Sequence, residues 1–294
     1  MFYHFDFTFA AFNKFIASLD YLHFSPFVEY LESEGNESII LRHDVDALPA
    51  HSFRFAQIQK GFGIRGSYYF RIVPESFQPA IIEQIAKLGH EIGYHYEDLT
   101  RVAETRKKEK IKKKEEKDAE LDDLLEQGIV SFVKNLAMMR KYADIKTICM
   151  HGSPLSKWDS RLLWTKYDYR DFGIIGEPYF DIDFTQVAYY TDTGRRWDGD
   201  RVSVRDKVVQ DGKKFPKYHS TFDIICAAES GTLPNQVMFT FHPQRWHDRP
   251  WPWTRELLVQ NAKNVVKYGM NIWQAKIHKD GAAVDFSRQE RTES

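Results

Sequence analysis

Five short apolar segments of this chain each end at an aspartate or a histidine: Asp44, His95, His151, Asp192 and His242. Segments with helical spacing of apolar residues lie between them, so strands alternate with helices. That alternation predicts a parallel sheet. In a parallel barrel the carboxyl ends of all strands meet at one mouth, whereas an open sheet gathers a site only at its switch point. Polar ends on five strands therefore favour a barrel.

The predicted strands are short, and helices flank them. Strands are expected at residues 38–41, 66–70, 91–94, 145–150, 187–190 and 237–241. Helices are expected at residues 9–19, 51–61, 78–88, 121–142, 221–229 and 253–268. We predict an α/β fold, a distorted (β/α) barrel of about seven parallel strands, with one domain over residues 1–280 and a polar tail at 281–294. Residues 103–120 are mostly charged and are interpreted as a solvated helical insertion, with a patch for an anionic partner as the alternative.

The composition excludes several classes of function. A net charge of −1 gives the chain no strong attraction to nucleic acid or to an anionic membrane. No apolar run approaches the ~18 residues of a transmembrane helix. The first ten residues carry Asp6 and no basic region, so we expect no signal peptide and a cytoplasmic protein. Cys149 and Cys226 lie in apolar runs and are expected to be free thiols.

Asp44 and Asp46 lie on either side of Val45 at the end of the first predicted strand. Residues i and i+2 of a strand point to the same face, so two carboxylates there lie close together and repel each other. A divalent cation relieves that repulsion. A turn with capping aspartates is the alternative, because Asp-x-Asp alone is a weak signal. We predict a metal site at this strand end.

Two histidines are the next candidates. His95 ends a predicted strand, where an imidazole can serve as a metal ligand or a base. Glu97 and Asp98 follow it, and either can complete a sphere of mixed ligands. His242 follows an apolar run that Pro243 ends, and a histidine fixed in this way can act as a general acid. A histidine that only caps the strand is the alternative for His242.

The string Gly89–His–Glu–Ile–Gly–Tyr–His95 resembles a motif of the polysaccharide deacetylase (NodB-homology) family of carbohydrate esterases. The resemblance extends over residues 38–268. It implies a distorted (β/α) barrel that holds a divalent metal, commonly zinc, and that hydrolyses N- or O-acetyl groups on sugars. Some relatives in that family cleave other linear C–N amide bonds.

The resemblance also implies roles for single residues. By the match to the first motif, Asp44 is the general base and Asp46 is a metal ligand. The last histidine of the quoted string, His95, is a second ligand. Thr240–Phe–His242 resembles the motif that supplies the general acid. Residues 191–197 lie where the family places an acidic residue and a tryptophan that support this histidine, which implies that role for Asp192 and Trp197.

Three departures from the family pattern stand out. The second ligand histidine of the family corresponds here to Leu99, so Glu97, and after it Asp98, is the candidate for the third protein ligand. The family's Arg-x-Pro-Tyr motif is missing, and residues 150–161 stand in its place. His43 precedes the base where the family usually has an apolar residue.

The expected reaction is metal-dependent removal of an acetyl or other acyl group from an amino sugar or sugar precursor during surface-polysaccharide assembly. A cluster of arginines near Asp192 suggests a wall for a nucleotide-linked or lipid-linked sugar, with an exposed, salt-bridged loop as the alternative. Two other functions stay open: an inactive protein of this fold that binds a sugar or a protein partner, and an amide or acyl transferase. The candidate substrate contacts are His43, His151, Ser153, Trp158, Arg195, Arg196, Trp197 and Arg245.

Overall fold

The computed structural model describes residues 5–33, 38–110, 118–152, 156, 158–198 and 215–280. Six strands in these ranges form one parallel sheet in the order β4-β3-β2-β1-β6-β5, which curls into a half-barrel. The strands are β1 (Ile39–Val45), β2 (Ser67–Phe70), β3 (Glu91–Tyr96), β4 (Ile148–Met150), β5 (Ala188–Thr191) and β6 (Val237–Phe241). The predicted α/β class and parallel sheet are confirmed, with six strands in the described ranges where about seven were expected.

Nine α-helices surround this sheet in the described ranges. They are α1 (Phe9–Ser18), α2 (Phe27–Glu32), α3 (Pro49–Gly61), α4 (Pro79–Lys87), α5 (Asp98–Lys110), α6 (Asp118–Met139), α7 (Pro178–Asp181), α8 (Thr221–Glu229) and α9 (Pro250–Asp280). Short 3-10 helices at Ser160–Thr165 and Tyr169–Phe172 connect β4 to α7. The charged segment is helical where α5 and α6 cover it, while residues 111–117 and the tail 281–294 lie outside the described residues.

Local sequence sets the boundaries of the main helices. The Thr8 side chain accepts a hydrogen bond from Ala11 N at the start of α1. Ser220 and Asp223 form a reciprocal capping box at the start of α8. Gly89, with a φ of +92°, allows the turn from α4 into β3. None of the helices in the described ranges combines the length and the apolar character that a membrane crossing requires.

The two faces of the sheet bury different residues. The odd-numbered residues of β1 and β6, such as Leu41 and Phe239, join the large core formed with the helices. The even-numbered residues Ile40 and Met238 join a smaller cluster with Phe27 of α2, and this cluster fills the concave side of the half-barrel. Successive side chains of a strand alternate between faces, so Asp44 lies on the concave side above Ile40.

Close packing on the concave side explains one glycine. A Cβ atom on Gly93, in the middle of β3, would lie 2.3 Å from the ring of Tyr69. The space that a side chain would need is occupied by this tyrosine, whose ring belongs to the concave cluster. Glycine at position 93 therefore lets β3 continue to His95 without displacing the ring of Tyr69.

Candidate metal centre

Three side chains from three strands meet at the mouth of the half-barrel. Asp46 follows β1, His95 lies in β3, and His151 follows β4. One ligand atom from each lies within 4.8 Å of the others. Asp46 Oδ1 is 3.6 Å from His95 Nε2 and 3.5 Å from His151 Nε2. A carboxylate oxygen and two imidazole nitrogens can hold a divalent cation such as Zn²⁺ and leave a further coordination position open.

The ring of His95 is fixed by the backbone. Its Nδ1 lies 2.9 Å from the carbonyl oxygen of Cys149 on the neighbouring strand, and a carbonyl can only accept a proton. Nδ1 therefore carries the hydrogen, and Nε2 keeps its lone pair toward Asp46. Burial, and then the nearby His151, lower the pKa of His95 well below its usual value, so the imidazole is neutral. A neutral ring with a free Nε2 is the form that binds metal.

Asp46 has one satisfied and one unsatisfied oxygen. Gln244 Nε2 donates to Oδ2 at 3.0 Å. Oδ1 is buried and accepts no hydrogen bond from any residue in the described ranges. Burial on its own raises the pKa of Asp46, but the imidazoles of His151, His242 and His95 outweigh it and lower the pKa below its ordinary value. The buried oxygen is thus a negative charge that faces two nitrogen lone pairs, an arrangement that a cation completes.

The third member of the group is His151, where the sequence had suggested Glu97. The Glu97 carboxylate instead accepts hydrogen bonds from Arg71 Nη2 at 3.0 and 2.7 Å, and its Oε2 lies 3.0 Å from His151 Nδ1. Asp98 is turned away, because Tyr94, Ser131 and Asn135 all donate to its carboxylate. His151, expected to contact substrate, is therefore placed as a candidate ligand.

Asp44 belongs to a second, overlapping group with His95 and Cys149, whose ligand atoms also lie within 4.8 Å of one another. The buried Arg42 guanidinium donates to both oxygens of Asp44, at 2.8 and 2.6 Å. That positive charge neutralises Asp44 and repels a cation placed beside it. The group around Asp46 is consequently the better cation site, and Asp44 lies next to it, 3.8 Å from His95 Nε2.

His242 and Asp192 form a pair on the other side of the mouth, as the sequence predicted. His242 Nδ1 lies 2.5 Å from Asp192 Oδ1. Asp192 Oδ2 accepts from the backbone N–H of His242 at 2.9 Å and from Trp246 Nε1 at 2.8 Å, and Arg245 Nη1 lies 3.1 Å from Oδ1. Burial alone would raise the pKa of Asp192. Its contacts with His242 and Arg245 outweigh burial, so the pKa of Asp192 lies below its ordinary value. The carboxylate holds the ring of His242 in one orientation.

Two predicted substrate contacts lie in the core instead. His43 is fully buried on the helix-covered face, where its ring stacks on Tyr68 with centroids 4.1 Å apart. It follows the alternation of β1, which turns His43 away from Asp44. Trp197 is 3% exposed, packs against aromatic residues of the core and donates from Nε1 to Thr221 Oγ1 at 3.0 Å. The tryptophan that supports Asp192 is Trp246.

The arginine wall predicted for an anionic substrate has two described members, Arg195 and Arg196, and both make contacts within the protein, while Arg201 and Arg205 lie outside the described residues. Arg195 is 8% exposed, and its guanidinium lies over the ring of Trp253, 4.5 Å from the centroid. Arg196 pairs with Asp198 at 2.6 and 2.9 Å. Arg245 is buried behind Asp192. Trp158 is partly buried against the main core, and Ser153 lies outside the described residues.

Sequence reasoning missed four polar residues that shape the mouth: Arg42, Arg71, Gln244 and Trp246. Arg42 carried a detectable signal, because it lies two residues before Asp44 and therefore shares its face. The other three follow strands that come together only in the folded sheet. Comparison with protein-family models, with curated proteins and with solved structures finds no match for this chain.

Proposed function

We propose that this protein is a metal-dependent hydrolase that removes an acetyl or other acyl group from an amino sugar or sugar precursor, with Zn²⁺ as the metal. The observation that carries the proposal is the buried, unpartnered Oδ1 of Asp46 facing His95 Nε2 and His151 Nε2. The string 89–95, with its resemblance to the polysaccharide deacetylases, supports the sugar substrate, and surface-polysaccharide assembly is the proposed setting.

The cation, when bound, supplies a Lewis acid that polarises the acyl carbonyl and makes water acidic enough to react near neutral pH. The protein then has to accept a proton from that water. Asp44 is the proposed general base, because its carboxylate lies beside His95 and is held by Arg42 through both oxygens. The buried arginine keeps the carboxylate in one orientation and leaves its other lone pairs available to accept a proton.

Breaking the C–N bond requires a proton on the leaving nitrogen. His242 is the proposed general acid, because it lies on the opposite side of the mouth and is bonded through Nδ1 to Asp192. That contact holds the ring through Nδ1 and leaves Nε2 to donate a proton. Once the amine has left, Asp44 is protonated and His242 is neutral, so Asp44 gives its proton to solvent and His242 takes one up before the next turnover.

Substitution of Asp44 by Asn tests the proposal. Hydrolysis of N-acetyl amino sugars, followed as released acetate with Zn²⁺ present, should fall by at least ~10²-fold, the usual scale of general-base loss. Zinc affinity and thermal unfolding should be measured on the same variant, because Arg42 loses its charged partner. An unchanged rate would reject Asp44 as the base. A wild-type protein that binds zinc and hydrolyses no acylated sugar would reject the hydrolase in favour of a sugar-binding protein.

A further inference from the structure

The two histidines of the metal centre are oriented by different means. His95 is fixed by the backbone carbonyl of Cys149. His151 follows the last residue of edge strand β4, and its Nδ1 lies 3.0 Å from Glu97 Oε2, an ion-pair distance at which the ring is not yet aligned for a hydrogen bond. Its Nε2 then points to Asp46 Oδ1 at 3.5 Å. The orientation of the second imidazole thus depends on a side chain that can be substituted.

Glu97 is itself held firmly. Arg71 Nη2 contacts both of its oxygens, and Arg101 Nη1 approaches Oε1 at 3.4 Å. Arg71 Nη1 lies 3.5 Å from the backbone carbonyl oxygen of Asp46. The Glu97 side chain is only 7% exposed, so solvent screens these contacts weakly. Arg71 thereby links the carboxylate beside His151 to the strand end that carries Asp46.

We propose that Glu97 is a positioning residue for the metal centre, which holds His151 Nε2 toward the cation, and that Arg71 anchors it. This inference rests on the proposed metal centre. Because Arg71 compensates the charge of Glu97, the carboxylate acts through the direction of the His151 ring more than through its own attraction for the cation. Outer-shell carboxylates of this kind fix the tautomer and orientation of ligand histidines.

A double-mutant cycle separates this role from a general charge effect. Zn²⁺ affinity is measured by competition with a chromophoric chelator for the wild type, Glu97→Ala, His151→Ala and the double variant. Glu97→Ala should weaken zinc binding by roughly 10- to 100-fold in the wild-type background. It should have little further effect once His151 is gone. Glu104→Ala, which removes an exposed carboxylate from the same helix α5, is the matched control and should bind zinc like the wild type.

Equal weakening by Glu97→Ala in both backgrounds would overturn the proposal, because the effect would then not pass through His151. Wild-type affinity in Glu97→Ala would overturn it as well. Glu97→Gln keeps the volume and one oxygen that can accept from Nδ1–H, and it should give an intermediate loss, which covers the case where the alanine variant does not fold. If His95→Ala and His151→Ala both bind zinc like the wild type, the metal centre itself is wrong, and the proposed function fails with it.

Discussion

Two halves of the strand-end mouth each hold an aspartate, Asp192 fully buried and Asp46 half-buried, and the two carboxylates are satisfied in different ways. Asp192 accepts four hydrogen bonds, from the ring and the backbone of His242, from Arg245 and from Trp246. Asp46 accepts one side-chain hydrogen bond at Oδ2, while its buried Oδ1 has no hydrogen-bond partner in the described ranges. The carboxylate of one half is satisfied by hydrogen bonds within the protein, and that of the other presents an oxygen that a cation could contact.

The difference indicates that the two halves of the site have different functions. A buried carboxylate oxygen without a partner costs about 1–3 kcal/mol or more, so a fold tolerates it where a ligand compensates. The half around Asp46 offers ligand atoms that could hold a cation. The half around Asp192 is arranged to hold one histidine in one orientation, which suits transfer of a proton. A substitution around Asp46 should therefore affect cation binding, and a substitution around Asp192 should affect proton transfer but not cation binding.

The largest effect is expected from the half around Asp46. Asp46→Asn should abolish catalysis, because it removes the anionic ligand, and should weaken zinc by more than the roughly 10- to 100-fold that loss of an outer contact costs. Calorimetric titration with Zn²⁺ and an acetate-release assay check both effects. Asp20→Asn, on an exposed carboxylate, is the control. Zinc binding by Asp46→Asn with wild-type affinity would contradict the assignment.

A smaller effect, and a different one, is expected from the other half. His242→Asn should lower the rate of hydrolysis by about 10²- to 10⁴-fold, the scale of general acid–base catalysis, and should leave zinc affinity unchanged. The exposed His219 provides the matched control, His219→Asn. A His242→Asn variant that loses zinc together with activity would show that the two halves are not separate in function.

The smallest effect is expected from His43, on the opposite face of the sheet. Burial lowers the pKa of His43 to about 3, against an ordinary value of about 6.5. Between about pH 3 and pH 6.5, His43 is protonated in the unfolded chain and neutral in the folded protein. The contribution of His43 to the free energy of unfolding is therefore complete above pH 6.5 and is lost as the pH falls toward about 3. In His43→Gln, the free energy of unfolding should fall less steeply with decreasing pH, by about 1.4 kcal/mol per pH unit below pH 6.5. Zinc affinity should be unaltered.

Urea unfolding of the wild type and of His43→Gln at pH 7.5 and pH 5 measures this difference. The two proteins are compared at each pH because other buried histidines, such as His90, also have lowered pKa values. Identical pH dependence in both proteins would show that His43 does not stay neutral in the fold. A loss of zinc binding in His43→Gln would place it in the site after all.

Alternation within strands was the most informative sequence signal. It placed Asp44 and Asp46 on one face, as the structure confirms, and the same rule applied to Arg42 and His43 puts the arginine beside them and the histidine on the other face. The polar ends of several strands also predicted one mouth. These features depend only on residues of the same strand. Such residues are consecutive in the sequence, so their arrangement can be predicted from it.

Other features depend on pairing between distant segments. His151 was recognised as a strand end, but its place in the metal group depends on the register of β3 and β4, in which His95 pairs with Cys149. Arg195 was expected in the site because it follows Asp192 closely in the chain. Its side chain instead lies over Trp253, near the start of α9, and Phe7, which precedes α1. Such tertiary contacts cannot be derived from local spacing.

We propose that Asp46, His95 and His151 together bind one divalent cation. Crystals grown with Zn²⁺ and recorded on both sides of the zinc absorption edge test it directly. We expect one anomalous peak at the mouth of the half-barrel, about 2.0–2.2 Å from Asp46 Oδ1, His95 Nε2 and His151 Nε2. Zinc bound through Glu97, zinc bound elsewhere on the chain, or an empty mouth in zinc-soaked crystals would contradict it.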